Sequence, residues 1–372
     1  MKIAFIITGS NTTSIYIVTQ DVINYLREKG HQVDVFFTDL SHLPLDSHQK
    51  HINRKNIFQS KIKNLLFRLL KNFIGRHVFE YLTSGIIIDK NKQLFKGYDC
   101  IFVHGAVSIN FRCLKLPHFI VLHSCKYENF LSRRSWLTKP LYKLLYQSVY
   151  DNKNLLTVSN SASYDIIEKM DVKPRSIETI YNGFDFDRMI SKAKKGITKN
   201  VPEKFIMAAG RPDHTKRFDI LLKAYAKTKQ NLPLVIFGEG RKLKELKKFA
   251  VDLGIQDKVI FWGFCDNLLP YFKQASLYVL SSDVEGLPTV IIESIAIGTP
   301  VVATDVGGVR EILGHRLQHC VVPRRDIDTL ARKIDEILDN LPEVSVEDIN
   351  FLDYRSIGKR YEELSERMRD GL

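Results

Sequence analysis

A chain of 372 residues is too long for one compact core and long enough for two domains of ordinary size. Hydrophobic residues at 44% and charged residues at 26% exclude an extended disordered chain and leave a globular protein. The formal charge of +13 is unevenly spread: residues 1–185 hold 25 Lys/Arg against 15 Asp/Glu, so an anionic partner is expected in the first half.

Met1 to Ile7 is an apolar run stopped by Thr8-Gly9-Ser10-Asn11, too short for a signal segment, and reads as a buried first strand. A helical pattern through Val18, Val22, Ile23 and Leu26 closes at Gly30, and Val33–Phe37 follows as a strand. This strand–helix–strand unit is the building block of a parallel sheet. Further strands are expected at Cys100–Val103, Phe119–Leu122, Leu155–Val158 and Glu178–Ile180. The five cysteines have irregular spacing and no CxxC pair, which argues against a disulfide framework or structural zinc and for a reducing compartment. No apolar run reaches transmembrane length.

The stretch from Asp185 to Val201 is polar and basic, shows no periodic apolar face, and precedes Pro202; it is expected to be a hinge over 186–202. The strand–helix rhythm then restarts. Strands are predicted at Phe205–Ala209, Leu234–Phe237, Val259–Trp262, Leu277–Leu280 and Val301–Ala303, with helices at Phe218–Thr228, Arg241–Leu253 and from Thr289 to Ala296. Asp353–Met368 reads as a final amphipathic helix, expected to return to the first domain. The fold expected is α/β: two Rossmann-like doubly wound domains, 1–185 and 203–350, facing across a cleft at the carboxyl ends of their strands.

Three places carry chemistry. The densest is Ser281-Ser282-Asp283-Val284-Glu285-Gly286-Leu287-Pro288-Thr289-Val290-Ile291-Ile292-Glu293. A strand ends in small polar residues, and a helix begins near Pro288–Thr289, where proline suits the first turn. The amides of Gly286, Leu287 and Thr289 at that helix start favour an anionic or hydroxyl-rich ligand. Glu285 in the loop could be only a helix-dipole partner. Glu293 is flanked by Ile291, Ile292 and Ile295, where a lone carboxylate is costly without a ligand, and vicinal ribose hydroxyls would donate to it. The second place is Gly210-Arg211-Pro212-Asp213-His214-Thr215-Lys216-Arg217 after the strand Phe205–Ala209. Gly210 allows a tight turn, and Arg211 and Lys216 could clamp a diphosphate. The third is His123 at the end of Phe119–Leu122, with His104 as its competitor.

Together these residues resemble the retaining glycosyltransferases of family 4, of GT-B architecture. The resemblance covers nearly the whole chain and is strongest from Gly210 to Gly308, where Gly298-Thr299-Pro300-Val301-Val302-Ala303-Thr304 completes the order; Gly30-His31 and Tyr181-Asn182-Gly183-Phe184-Asp185 add weaker support. It implies that Glu293 binds the donor ribose, Arg211 and Lys216 its diphosphate, and Glu285 with Gly286, Leu287, Pro288 and Thr289 the transferred sugar. His123 corresponds to the family's histidine near the reacting centre, and Gly238 and Phe264 would lie near the base. Where the family carries a Gly-Gly pair opening the first helix, this chain has Thr13-Ser14, a possible phosphate or acceptor loop.

The resemblance further implies retention of anomeric configuration. The expected reaction moves a hexose or N-acetylhexosamine from a nucleotide sugar, UDP-linked, to a lipid-linked or oligosaccharide acceptor of a lipopolysaccharide, capsule or related glycan. Positive groups and helix-start amides would stabilise the leaving diphosphate, so no cofactor or metal is expected; Asp185-Phe186-Asp187 lacks companion ligands. Ser60 to Tyr81 reads as a basic amphipathic helix, equally able to lie on an anionic membrane or to pack its apolar stripe on the sheet, and Arg133 to Tyr146 as a basic aromatic stretch without a nucleic-acid motif. The expected location is cytoplasmic, peripheral at the membrane's inner face, with no nucleic acid partner. The rival readings are a non-catalytic basic scaffold on membrane or nucleic acid, and a GT-B sugar-nucleotide epimerase.

Overall fold

The structure, a computed structural model, describes residues 1–39, 46–52, 76–197 and 201–371. It divides into two compact units, Met1–Phe184 with Tyr354–Leu372, and Asp185–Asp353.

The first unit is built on seven parallel strands: β1 (Lys2–Ile7), β2 (Gln32–Phe37), β3 (Gln49–His51), β4 (Cys100–His104), β5 (His118–Leu122), β6 (Asn154–Thr157) and β7 (Ser176–Thr179). Their order is β3-β2-β1-β4-β5-β6-β7, so the direction of winding reverses between β1 and β4. Its α-helices among the described residues up to Phe184 are α1 (Ser14–Glu28), α2 (Arg76–Asn91), α3 (Lys139–Tyr150) and α4 (Asn160–Tyr164). Every residue of β4 and β5 is buried, as expected of central strands covered on both faces. Phe102 is the ring around which this core closes. Phe5 stacks on it at 5.1 Å, Phe119 at 5.7 Å, and Tyr361 of the last helix meets it edge-on at 4.8 Å. Each such pair adds about 0.5–1.5 kcal/mol beyond its buried area.

The second unit begins with α5 (Phe186–Ala193) and continues β8 (Ile206–Ala209), α6 (Phe218–Tyr225), β9 (Leu234–Phe237), α7 (Leu243–Asp252), β10 (Val259–Gly263), α8 (Leu269–Gln274), β11 (Leu277–Leu280), α9 (Thr289–Ala296), β12 (Val301–Thr304), α10 (Val309–Leu313), β13 (Val321–Val322) and α11 (Ile327–Asp339). The parallel order β10-β9-β8-β11-β12-β13 reverses between β8 and β11. Helix α5 corrects the expectation of an irregular hinge. Asp185 caps it by accepting from the Arg188 amide at 2.9 Å, and Phe186, Met189 and Ala193 form a narrow buried stripe, with α8 as the main packing neighbour. The stripe is only three residues wide in a polar setting, which hides the period.

The last helix, α12 (Tyr354–Arg369), belongs to the first unit and packs on α1. Two glycines make that approach possible. A Cβ on Gly358 would stand 2.3 Å from the Tyr25 ring, and one on Gly183 would stand 2.9 Å from the Tyr354 Cα. The His31 ring and the Glu362 carboxylate add a hydrogen bond at 2.7 Å. The basic stretch 60–81 lies, up to residue 75, outside the described residues. No described helix is long and apolar enough to cross a membrane.

Candidate active site

In open parallel sheets, ligands collect beyond the carboxyl ends of the strands where the winding reverses. In the second unit that point lies between β8 and β11, and the two motif-bearing loops leave these two strands. They are stitched together. Lys216 Nζ donates to Glu285 Oε1 at 2.7 Å, and Ser282 Oγ donates to the same oxygen at 2.7 Å. Ser281 Oγ donates to the Lys216 carbonyl at 2.8 Å, and the Asp283 amide to the Thr215 carbonyl at 2.8 Å.

The backbone around this pair has no room for side chains. Gly210 has φ +144°, and a Cβ there would lie 2.8 Å from Lys216 Cε, so the lysine stem crosses directly over it. Gly238, at φ +130°, would place a Cβ 2.0 Å from the Gly210 carbonyl. Gly238 thus supports the Gly210 turn from the neighbouring strand end, a role the sequence reading did not give it.

Glu293 is the fifth residue of α9, partly buried, and its carboxylate has no hydrogen-bond or ion-pair partner among the described residues. Desolvation pushes its carboxyl up to about 7. The start of α9 carries no side-chain cap: Pro288 is the capping position and Thr289 the first helical residue. Gly286, Leu287 and Pro288 are buried in the preceding loop. Arg211 is exposed beside Pro212 in the β8 loop, and Phe264 follows β10 with 67% of its surface exposed. The expected diphosphate clamp is therefore only partly free, because Lys216 is engaged by Glu285.

Sequence reasoning missed the ion-pair cluster beneath these loops. Asp283 is 5% exposed and accepts from Arg217 Nη1 at 2.9 Å and from Arg325 Nη2 at 2.8 Å. Burial opposes its ionisation, but the two guanidiniums prevail and hold its carboxyl below the usual range. Arg217 also grips Asp219 with two bonds, at 2.9 and 2.8 Å, from a left-handed backbone position at φ 49°. Asp283 and Arg217 stand inside the two motifs; Arg325 lies in none, and nothing in the sequence links it to them.

In the first unit His123 follows β5 directly and His104 ends the neighbouring strand β4. The two are bonded, His104 Nδ1 to His123 Nε2 at 2.9 Å, so the competitors form a pair. Burial pulls both imidazoles down, His123 to about 3. Lys126, also lowered by desolvation, to about 8, adds its positive charge near His123. At the β1 loop, the Thr13 hydroxyl donates to the Ser10 carbonyl at 2.8 Å, and its methyl packs over Gly9, where a Cβ would stand 2.2 Å away. Ser14 begins α1 and is exposed. Of the basic aromatic stretch, Tyr142 and Tyr146 are core residues, and Arg134 lies over the Phe130 and Tyr142 rings at 4.2 Å. Trp136, Leu137, Leu141 and Leu144 are its exposed large apolar side chains, at 60–81%.

Two doubly wound parallel domains in one chain are the GT-B architecture. Residues 17–188 match the family described as Glycosyltransferase Family 4, and residues 189–346 match Glycosyl transferases group 1. The chain belongs to this glycosyltransferase family. It is 30% identical over 245 residues to N-acetylgalactosamine-N,N'-diacetylbacillosaminyl-diphospho-undecaprenol 4-alpha-N-acetylgalactosaminyltransferase of Campylobacter jejuni, covering 64% of this chain and 67% of that protein. It is 29% identical over 332 residues to an uncharacterised glycosyltransferase of Methanocaldococcus jannaschii, covering 84% of this chain and 82% of that one. Among solved structures, HepE of Anabaena in complex with UDP matches with a TM-score of 0.71 at 17% identity, over 99% of this chain and 100% of that one, a likeness of fold.

Proposed function

We propose that the chain transfers a hexose or N-acetylhexosamine from a UDP-linked donor to a lipid-linked or oligosaccharide acceptor of a lipopolysaccharide, capsule or related surface glycan, with retention of anomeric configuration. The observation that carries this is the arrangement in the second unit: an unpartnered, desolvated Glu293 on the helix whose uncapped start follows the Lys216–Glu285 pair. A carboxylate without a protein partner in a nucleotide pocket is completed by ribose hydroxyls. The relative that acts on a diphospho-undecaprenol acceptor and the neighbour crystallised with UDP support the choice of partners.

In the reaction, the bond from the anomeric carbon to the diphosphate oxygen breaks, the acceptor oxygen takes its place, and the acceptor's proton passes to the departing diphosphate oxygen. Negative charge grows on the leaving diphosphate, and Arg211, Lys216 and the first amides of α9 oppose it without a metal. The ring gains oxocarbenium character; in this reading Glu285 stabilises it and His123 is the ligand-contacting imidazole that the family resemblance implies. Lys216 must exchange part of its bond to Glu285 for the phosphate as the donor enters. Location at the cytoplasmic membrane face is supported by Trp136, Leu137, Leu141 and Leu144, exposed beside Arg133, Lys139 and Lys143, the composition of a surface that rests on anionic lipid.

The test is a panel of nucleotide sugars assayed for released nucleoside diphosphate, with mass spectrometry and anomeric proton couplings of the product. Turnover of no donor in the presence of a bacterial glycan pool would overturn the proposal.

A further inference from the structure

We propose that His104 is a positioning residue that sets the tautomer of His123, donating from its Nδ1–H to His123 Nε2 so that His123 keeps its own proton on Nδ1. The inference rests on the reading of His123 as a ligand-contacting imidazole and adds which of its nitrogens bears the proton.

The sheet itself brings the two rings together. His104 pairs in register with Val121 on β5, two residues before His123, and its Nδ1 lies 2.9 Å from His123 Nε2. His104 is 0% exposed, packed against the rings of Phe5 at 5.5 Å and Tyr361 at 6.4 Å. Its second nitrogen, Nε2, is sealed from solvent with no hydrogen-bond partner. Burial, with Lys126 adding positive charge close to His123, keeps both rings neutral, so each holds one proton.

Two neutral rings in this geometry have two arrangements. If His123 Nε2–H donates, the proton of His104 must sit on Nε2, which buries an N–H among aromatic carbons with no acceptor. Orphaned buried N–H groups are rare in folded proteins. If His104 Nδ1–H donates, its Nε2 is a bare ring nitrogen and the only buried N–H of the pair is hydrogen-bonded. The second arrangement is the one assigned. It leaves His123 Nδ1, which has no protein partner among the described residues, as an N–H donor available to a ligand oxygen. His123 then orients the ligand by donation and does not act as a base.

The experiment is a long-range ¹H–¹⁵N correlation spectrum of the full chain labelled at histidine, with the His123 signals identified by their loss in His123→Gln. At pH 7 the expected pattern for His123 is a protonated Nδ1 and an unprotonated Nε2; a protonated Nε2 would overturn the inference without touching the assignment of the donor site. Two variants separate positioning from packing. His104→Asn, whose amide can still donate, should keep the His123 pattern and hold kcat within about 3-fold. His104→Phe keeps a ring and donates nothing; it should release His123 to the Nε2–H form and lower kcat about 10-fold, with donor KM within about 2-fold. An unchanged His123 spectrum and kcat in His104→Phe would sink the idea. Wild-type transfer by His123→Gln would instead refute the role of His123 itself, a result the wild-type spectrum does not depend on.

Discussion

Lys216 and Glu285 meet at 2.7 Å across the two loops that leave β8 and β11, where the second sheet reverses its winding. On the proposed function the pair would divide its duties once a sugar diphosphate is present, the lysine serving the phosphate and the carboxylate the sugar. Glu285→Gln is therefore expected to lower kcat by about 10²–10³ while leaving the affinity for free nucleoside diphosphate within a few-fold. Lys216→Ala should weaken that affinity itself, by about 10-fold or more. Calorimetric titration of the nucleotide beside steady-state transfer rates distinguishes the two, and equal effects of both variants on affinity would contradict the division of labour.

Glu293 makes the ligand-free protein sensitive to pH. Its carboxyl is near 4.5 when unfolded and about 7 when folded. Below 4.5 it is protonated in both states and costs nothing; above 7 it is ionised in both, and the folded state bears the full penalty. Stability attributable to this residue thus falls as pH rises from 4.5 to 7, by up to about 3 kcal/mol. Glu293→Gln should raise the thermal midpoint at pH 8, leave it unchanged near pH 4, and abolish transfer. A variant less stable than wild type at pH 8 would show that the carboxylate is satisfied after all.

The buried Asp283 has the reverse sign. Arg217 and Arg325 depress its carboxyl, so its contribution is complete above the ordinary carboxylate range and is lost as pH falls through the folded value. Asp283→Asn leaves two guanidiniums without their acceptor and is expected to cost about 3 kcal/mol at pH 7. Urea unfolding at pH 7 and pH 3 should show a gap between variant and wild type that closes in acid.

Gly238→Ala asks whether the glycine contact matters to the donor. The new methyl would press on the Gly210 carbonyl from a backbone angle that only glycine adopts freely. A loss of at least about 2 kcal/mol in stability is expected, together with weaker nucleotide binding, because the Gly210 turn carries Lys216. Binding at full strength in this variant would detach the turn from the site.

The exposed apolar residues around α3 give a separate prediction. Replacing Leu141 and Leu144 by Gln and Trp136 by Ser should abolish flotation with vesicles rich in anionic lipid and leave turnover of a water-soluble acceptor unchanged. These side chains are outside the core, so folding should be spared; persistent flotation would place membrane contact elsewhere.

Most strands, and the setting of Glu285 in a loop and Glu293 on the helix after it, were legible in the sequence because each depends on local order. Leu234–Phe237, Leu277–Leu280 and Thr289–Ala296 fall within the expected bounds, since apolar β-branched runs and a proline at a helix start are local signals. What was not legible depends on contact across the chain. The bond between His104 and His123 needs the parallel register of β4 and β5, and the grip of Arg325 on Asp283 joins residues 42 positions apart. Helix α5 was hidden for another reason. Its apolar stripe of Phe186, Met189 and Ala193 is thin, and Asp187, Arg188 and Lys192 between them equal it in number. Strands β3 and β13, three and two residues long, are held by their neighbours and carry almost no pattern of their own.

The helix α12 comes last in the sequence yet supplies Tyr361 to the core around Phe5 and Phe102. A ribosome must therefore finish the second domain before the first can close, so the earliest-made sheet waits, with its aromatic face uncovered, for about 170 residues of synthesis. Premature termination anywhere in the second half would release a chain whose first domain is unsealed, a ready substrate for chaperones and proteases.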